Sequence, residues 1–172
     1  NAGFDETNQT VSKGLEFMRN FFNPEEGHLG KSFLNYESAL SLMAMNAIGD
    51  PEDTDKLSQV RQFMEELQFH PGGELDMVED WYEGGWPNYA SIPDISNSQF
   101  AILGLMCEEI YNASYQVPAA AWAKATEFIH GMQNIPGLNP LDWANNASKP
   151  SYGDGGFVYN GYTMYDTYDV LA

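Results

Sequence analysis

Gly84-Gly85-Trp86 opens the stretch that decides the fold, and Pro93-Asp94 closes its irregular loop before an apolar segment that reaches Leu105. The double glycine and the Trp predict a turn, and the Pro-Asp pair marks the end of the loop. Ser96 or Asn97 is then the predicted cap of a helix, because both side chains carry an oxygen that accepts hydrogen bonds from backbone N–H groups. A loop, a cap and a helix occur in many folds, so the weight of this stretch comes from its recurrence.

Three segments of the chain share one pattern, an aromatic residue followed by a long or branched apolar one. Phe63 lies 46 residues after Phe17, and Phe128 lies 65 residues after Phe63. A glycine turn follows each segment, at residues 26–29, 83–86 and 154–157. A second helical segment follows each turn, and these open with Tyr36-Glu37-Ser38, Ser96-Asn97-Ser98 and Tyr165-Asp166-Thr167. Three copies of helix, glycine turn and helix predict a helical repeat architecture.

The full pattern is clearest in the third copy, where Lys124-Ala125, Phe128 and Gln133 precede Gly155-Gly156-Phe157. It resembles the QW-type repeat of the squalene/terpene cyclase and protein prenyltransferase superfamily. The resemblance implies an all-α fold of α/α toroid-type helical hairpin repeats, in which outer and inner helices alternate. About three repeats are expected, at residues 10–50, 51–112 and 117–172. They would form an incomplete toroid, as a single domain or fragment covering residues 1–172.

The sequence also predicts where the helices begin and end. The predicted outer helices run from a cap at Thr10 or Ser12 to residue 22, over 53–69, and from Pro118 at the first helical position to residue 133. The predicted inner helices run over 35–48 and 97–111, and from residue 164 onward. Long loops in compact domains are often functional, so the loops at 70–95 and 134–152 are expected places for a site.

Charge and composition narrow the classes of partner. The chain has 25 Asp and Glu against 7 Lys and Arg, a formal net charge of −18, which argues against nucleic acid or an anionic membrane surface as partner. A hydrophobic fraction of 43% argues against disorder, and no apolar run is long enough to span a membrane. Cys107 is the single cysteine, so no intramolecular disulfide can form, and its place in an apolar helix predicts a buried structural thiol.

Asn8, Asn112 and Asn146 each open an Asn-x-Ser/Thr acceptor site for N-glycosylation. All three fall in predicted loops or at helix ends, where a glycan can be attached. These acceptor sites lead to the hypothesis that the chain is an exported glycoprotein, either extracellular or at the cell surface.

The resemblance also allows residues 94–98 to be compared with the catalytic acid motif of the cyclases. Cyclases of this superfamily start their reaction with a protonated Asp in an Asp-x-Asp-Asp-Thr motif, placed where Gly-Gly-Trp leads into an inner helix. Asp94 matches the first acid, but Ser96 stands at the proton-donating position and Asn97 follows it. A hydroxyl and an amide cannot supply the strongly acidic proton that an alkene requires. Helix capping is therefore the predicted role of these residues.

Protein prenyltransferases, in the same superfamily, hold zinc with Asp, Cys and His. This sequence contains no Asp-x-Cys, and His28, His70 and His130 lack the spacing of metal ligands. We therefore expect no metal and no cofactor.

Sugar-active α/α toroids use two carboxylates at a cleft with an aromatic floor. The candidate catalytic carboxylates are Glu83, Asp94, Asp154 and Asp166. The candidate ligand-binding aromatics, which could stack on a sugar or enclose a terpenoid, are Trp81, Tyr82, Trp86, Tyr89 and Tyr159, with Trp143 and Tyr152 beside them. Aromatics after glycine turns could equally fill the gaps between helices, and this alternative is preferred for Trp86 and Phe157.

The favoured hypothesis is a non-catalytic toroid-repeat module that binds an apolar or carbohydrate ligand or a protein partner, or that assembles with itself. Two alternatives stay open. One is a cyclase or prenyltransferase-type enzyme whose catalytic residues lie outside this segment, and the other is a carbohydrate-active toroid enzyme.

Overall fold

The computed structural model describes residues 7–68, 70, 82–88, 91–149 and 152–159. This part of the chain is mostly helical, which confirms the expected helical class. The helices are α1 (Gln9–Arg19), α2 (Leu34–Ile48), α3 (Thr54–Glu66), α4 (Ile95–Tyr111) and α5 (Ala119–Met132). Two short 3-10 helices cover Pro51–Asp53 and Asp142–Asn145, and a small antiparallel hairpin joins β1 (Phe22–Asn23) to β2 (His28–Leu29). The predicted inner helix after residue 164 lies outside the described residues.

The chain forms two compact units. The first unit comprises residues 1–67 and 99–117, and the second comprises residues 68–98 and 118–172. Most of α4, from Gln99 onward, therefore belongs to the first unit, and the first turn of α4, residues 95–98, belongs to the second unit. The predicted single domain of three repeats stays a prediction.

α1 begins and ends earlier than the sequence predicts. Asn8 is its cap, because the Asn8 side-chain oxygen accepts hydrogen bonds from Thr10 N at 3.0 Å and Val11 N at 3.4 Å. The predicted caps at Thr10 and Ser12 are therefore wrong, and both residues lie inside the helix. The helix ends at Arg19 rather than at Phe22, since Phe22 pairs with Leu29 in the hairpin.

The hairpin is tied to α2 by one hydroxyl. Ser38 Oγ accepts a hydrogen bond from Leu29 N at 3.1 Å and donates one to Leu29 O at 3.0 Å. Gly27 makes the turn between the strands at a φ of +73°, which favours glycine. At the other end of α2, Gly49 adopts the left-handed conformation, which favours glycine at the end of a helix.

The first unit has a tightly packed helical core. Leu42 and Met45 of α2 and Val60 and Met64 of α3 are fully buried. α4 approaches α2 closely at Gly104, where an added Cβ would lie only 3.0 Å from the Cα of Ala39. A glycine at this position therefore permits the close approach of the two helices.

The second unit has its own core around α5. Its buried residues are Tyr82, Phe128, Met132 and Val158. Ile95, from the first turn of α4, packs against this cluster, and its N–H donates to Tyr159 O at 3.0 Å. The glycine turns at 83–86 and 154–157 therefore flank α5 through packed side chains and backbone hydrogen bonds.

Candidate functional site

Asp94, which matches the first acid of the cyclase motif, is the cap of α4. Its side chain is almost fully buried, with 7% of the residue exposed. Oδ1 accepts a hydrogen bond from Asn97 N at 2.8 Å, and Oδ2 accepts one from Asn97 Nδ2 at 2.6 Å. The predicted cap at Ser96 or Asn97 is therefore wrong by two or three residues, because α4 begins at Ile95 and Asp94 accepts the N–H of the third helical residue. Ser96 lies in the first turn of α4, as the comparison with the cyclase motif requires.

A serine in the second helix of each described pair holds the chain after the glycine turn. Ser98 Oγ accepts a hydrogen bond from Trp86 N at 2.8 Å, just as Ser38 accepts one from Leu29 N. These serines are the third residues of the triplets that open two of the predicted inner helices. The same helix-to-turn bond therefore occurs at two places in the chain.

Glutamines that end two of the Phe-centred segments bind the glycine turns. Gln68 Nε2 donates to Gly84 O at 3.0 Å, and Gln133 Nε2 donates to Gly155 O at 3.1 Å. Gly84 and Gly155 have φ values of +89° and +77°, so both turns use a left-handed glycine. The two Gln side chains lie 65 residues apart in sequence and make the same contact.

Each of the first two glycine turns packs on the second helix that follows it in the chain, α3 for the first turn and α5 for the second. An added Cβ at Gly27 would meet the backbone oxygen of Gln59 at 3.2 Å, and one at Gly84 would overlap the backbone oxygen of Lys124. Lys124 comes 65 residues after Gln59, so the two helices use equivalent positions.

An aromatic ring covers the next residue of each turn. The Phe63 ring lies 5.3 Å from the His28 ring between centroids. An added Cβ at Gly85 would lie 2.6 Å from the Phe128 ring. Phe63 and Phe128 are two of the three anchoring Phe residues of the sequence pattern.

The candidate catalytic carboxylates that the structure describes all have structural partners. Glu83 forms an ion pair with Lys124 at 2.8 Å, and this contact raises the pKa of the Lys124 ammonium. Asp154 Oδ1 accepts hydrogen bonds from Gly156 N at 2.9 Å and Asn134 Nδ2 at 3.0 Å. Asp166 lies outside the described residues. Glu83, Asp94 and Asp154 thus each hold a turn or a helix end.

The aromatic candidates fall into three groups. Tyr82 and Trp86 are 4% and 0% exposed, so their rings are enclosed in protein, which favours the gap-filling interpretation of Trp86. Tyr152 and Tyr159 are about half exposed, as a ligand-binding surface would require. Trp143 packs against the core of the second unit. The candidates Trp81 and Tyr89 lie outside the described residues.

The three glycosylation candidates differ in their surroundings. Asn146 is exposed at a turn, with its side-chain oxygen accepting from Ser148 N at 3.0 Å. Asn8 caps α1 through its oxygen. Asn112 uses its Nδ2, the atom that would carry a glycan, to donate to Glu108 Oε1 at 3.0 Å. A glycan at Asn112 would therefore replace a hydrogen bond, whereas Asn8 and Asn146 make their side-chain contacts through the oxygen.

An apolar groove that motif analysis does not identify lies between α1, the hairpin and α2. Its volume is about 240 Å³. The lining residues are Phe17, Met18, Phe21, Leu29, Gly30, Glu37, Leu40 and Ser41. Phe17 and Leu40 are 63% and 48% exposed, so the groove presents large apolar side chains at the surface.

Glu37 is the one charged residue of this groove. Its Oε2 accepts hydrogen bonds from the backbone N–H groups of Lys31, Ser32 and Phe33, at 2.7, 3.1 and 3.0 Å. Burial alone would raise the pKa of the Glu37 carboxyl, but these three bonds outweigh it and hold that pKa below its ordinary value. The charge is thus used to hold the chain before α2, and the rest of the groove offers mainly apolar surface.

A buried carboxylate in α4 is a second feature that the motifs do not reveal. Glu108 is 2% exposed, and its Oε2 accepts a hydrogen bond from Asn46 Nδ2 at 2.6 Å. Arg61 Nη1 lies 3.6 Å from the other oxygen, and its guanidinium stacks on the Tyr115 ring. These contacts join α2, α3 and α4 within the first unit.

Three further features of the described residues concern metal binding, membrane insertion and thiol reactivity. Among the described side chains, no group of three His, Cys, Asp or Glu is placed to hold a metal ion. None of the described helices is long and apolar enough to cross a membrane. Burial raises the pKa of the Cys107 thiol, which disfavours the reactive thiolate.

Comparison of the chain with protein-family models, with curated proteins and with solved structures found no match.

Proposed function

We infer that this chain is a non-catalytic α/α toroid-type repeat module, similar in plan to the terpene cyclase and prenyltransferase superfamily, that acts by binding. Its ligand is apolar and its setting is extracellular or the cell surface, where the Asn146 acceptor would be glycosylated. The observation that carries the proposal is the position of Asp94, whose two carboxylate oxygens both serve the cap of α4.

The recurring contacts support the repeat plan. Gln68 and Gln133 bind glycine turns in the same way, and Gln59 and Lys124 each receive a turn from the preceding segment. Contacts that recur at equivalent residues are the signature of stacked repeats, because each repeat buries its surface against its neighbour. The short hairpin at residues 22–29 is a local feature of the first turn and leaves this plan unchanged.

The geometry at Asp94 supports a role without catalysis. An acid that protonates an alkene must be protonated itself and point into a cavity. Both oxygens of Asp94 instead accept hydrogen bonds, from the N–H and the Nδ2 of Asn97, so the carboxylate is used to cap α4. Ser96 and Asn97, where the motif has its other acids, cannot replace it.

The groove of the first unit supports an apolar ligand over a carbohydrate. Phe17, Phe21 and Leu40 give it apolar walls, and the Glu37 carboxylate is already satisfied by backbone N–H groups. A sugar would leave its hydroxyls without partners there, at a cost of about 1–3 kcal/mol for each buried polar group. A short isoprenoid or aliphatic chain carries no such cost.

Two experiments test the proposal. In the first, the purified protein is incubated with squalene, farnesyl diphosphate and soluble polysaccharides, and the products are analysed by mass spectrometry. We expect no product, and turnover of any of these substrates would refute the non-catalytic role. Turnover of squalene or the diphosphate would favour the cyclase or prenyltransferase alternative, and polysaccharide cleavage would favour the carbohydrate-active one.

The second experiment measures binding of a short isoprenoid alcohol, geraniol, by NMR of a ¹³C-labelled Met18 methyl group. We expect its signal to shift with saturation. Leu40→Asp should weaken binding at least about tenfold, because a charge in an apolar groove costs more than 1.4 kcal/mol. Leu103→Asp is the matched control, since Leu103 is also an exposed helical leucine but lies outside the groove. Equal affinities of the two variants would refute the assignment of the groove.

A further inference from the structure

We propose that this chain associates with a second copy of itself, with the exposed face of α1 in one copy docking on the turn Asp154-Gly155-Gly156 of the other. The inference rests on the proposed repeat module. It names the partner, which is a second copy of the chain, and the two different surfaces that meet.

The second unit contains the template for this contact. The turn Glu83-Gly84-Gly85 packs on α5, where Gly84 meets the backbone oxygen of Lys124 and Gly85 meets the Phe128 ring. The Glu83 carboxylate pairs with Lys124 Nζ at 2.8 Å. A turn with the pattern acid-Gly-Gly thus fits a helix face formed by a Lys and by the Phe four residues after it.

The first unit repeats the contact with other side chains. The turn Glu26-Gly27-His28 packs on α3, where Gly27 meets the backbone of Gln59 and His28 meets the Phe63 ring. The fit therefore depends on a left-handed glycine against a backbone carbonyl, and it tolerates a change from Lys to Gln and from Gly to His.

α1 carries the same face and shows it to solvent. Lys13, Gly14 and Phe17 stand where α5 has Lys124, Ala125 and Phe128 in the sequence pattern. Phe17 is 63% exposed, whereas Phe128 is 1% exposed. Gly14 is exposed, and no described residue would come within 4 Å of a Cβ added there. The helix face that receives a turn in α3 and α5 is thus left uncovered in α1 by the described part of the chain.

The third turn carries the other half of the contact. Gly155 has a φ of +77°, close to the values at Gly27 and Gly84, but no described residue lies within 4 Å of its Cβ position. Phe157, two residues further, is 47% exposed. Asp154 precedes Gly155 as Glu83 precedes Gly84, so Lys13 of a second copy would meet an acid as Lys124 does. Shape and charge both match between the two uncovered surfaces.

This contact joins two different surfaces, so it is heterologous and propagates from copy to copy. Such contacts close into rings when the rotation allows and otherwise form open chains. Each copy carries a net charge of −18, and the resulting repulsion is screened by salt. We therefore expect association to strengthen from low to moderate ionic strength.

Sedimentation velocity from low micromolar to near-millimolar concentration tests the proposal. We expect the weight-average mass of the wild-type chain to rise with concentration. Gly155→Ala should weaken association at least about tenfold, because its methyl group would overlap the incoming carbonyl. Lys13→Glu should have the same effect, because it places an acid against Asp154. Lys13 is exposed on a helix, so that variant keeps its fold.

Two control variants separate the contact from general effects. Gly14→Ala reproduces the residue that α5 carries at Ala125 and should leave association unchanged or stronger. Lys31→Glu makes the same change of net charge as Lys13→Glu at another exposed site and should leave association within about twofold.

Three outcomes would overturn the proposal. The first is a wild-type chain that stays monomeric throughout, and the second is a Gly155→Ala variant that associates like the wild type. The third is a Gly155→Ala monomer destabilised as strongly as Gly84→Ala, because the turn would then be covered within its own chain. Substrate turnover by a chain that still associates would refute the non-catalytic function alone, and a monomeric chain without turnover would refute the assembly alone.

Discussion

Three glycines, Gly27, Gly84 and Gly155, adopt nearly the same backbone conformation in three different surroundings. Their φ values are +73°, +89° and +77°. Replacing each in turn by Ala therefore adds the same methyl group and nearly the same conformational strain. Any difference between the three variants measures what the methyl group meets.

The structure sets an order for the three free energies of unfolding. A left-handed Ala costs about 1 kcal/mol in strain alone, and we expect this loss for Gly155→Ala, where the space is open among the described residues. At Gly27 the methyl group would lie 3.2 Å from the Gln59 oxygen, and a small shift would bring the loss to about 1.5–2 kcal/mol. At Gly84 it would overlap the backbone of α5, which no side-chain rotation relieves, so we expect about 3 kcal/mol or more.

Urea unfolding followed by circular dichroism and Trp fluorescence measures these losses, at a protein concentration where association is absent. The m-value must be unchanged between variants for the comparison to hold. Asn substitutions at the same positions are the control, because Asn tolerates the left-handed region but still carries a Cβ. If Gly84→Ala and Gly155→Ala lose the same free energy, the glycine-to-carbonyl contact does not limit the packing and the reasoning fails.

Further predictions concern three buried or partly buried groups. Glu108→Ala should lower the free energy of unfolding by about 3 kcal/mol, because it leaves Asn46 and Arg61 without their buried carboxylate; a loss below 1 kcal/mol in urea unfolding would contradict this. The pKa of the Glu37 carboxyl is lowered in the folded state from its ordinary 4.5, so its contribution is complete above that value and is lost as the pH falls through the lower folded pKa. Acid unfolding of Glu37→Gln should therefore show a shallower pH dependence below pH 4.5, and an identical profile would contradict the assignment. Cys107, whose pKa is raised by burial, should react with a thiol reagent at neutral pH at least about tenfold more slowly than the same thiol in urea; equal rates would show that the thiol is accessible.

The helices and the recurring Gln and Gly positions could be predicted from sequence, because both depend on local spacing. A Gln placed after an outer helix and a glycine with positive φ leave a clear pattern. Gln68, Gln133, Gly84 and Gly155 belong to the recurring pattern, and the hydrogen bonds that join them are seen only in the structure.

The exact cap of α4 could not be predicted, because Asp94, Ser96 and Asn97 are all residue types that cap helices. Asp94 takes this role through a second bond to Asn97 Nδ2, a preference that residue type alone does not show.

Features built from distant segments could not be predicted from the sequence. The groove requires α1, the hairpin and α2 to meet, and the hairpin arises only because α1 stops at Arg19. Glu108 lies 62 residues after its partner Asn46, and nothing in the local pattern pairs them. In both cases the deciding interaction depends on tertiary packing, which the periodicity of the sequence does not show.

Gly27 and Gly84 each pack on a main-chain oxygen, and every amino acid supplies one. Gln59 and Lys124 differ in charge and length, and they still present the same atom to the turn. The junction therefore constrains one residue, the glycine, and leaves the opposing helix free to change its side chains. Segments built on such junctions can diverge widely in sequence, or be exchanged and added in engineered versions. The one requirement is that the glycine, which has no Cβ, is kept.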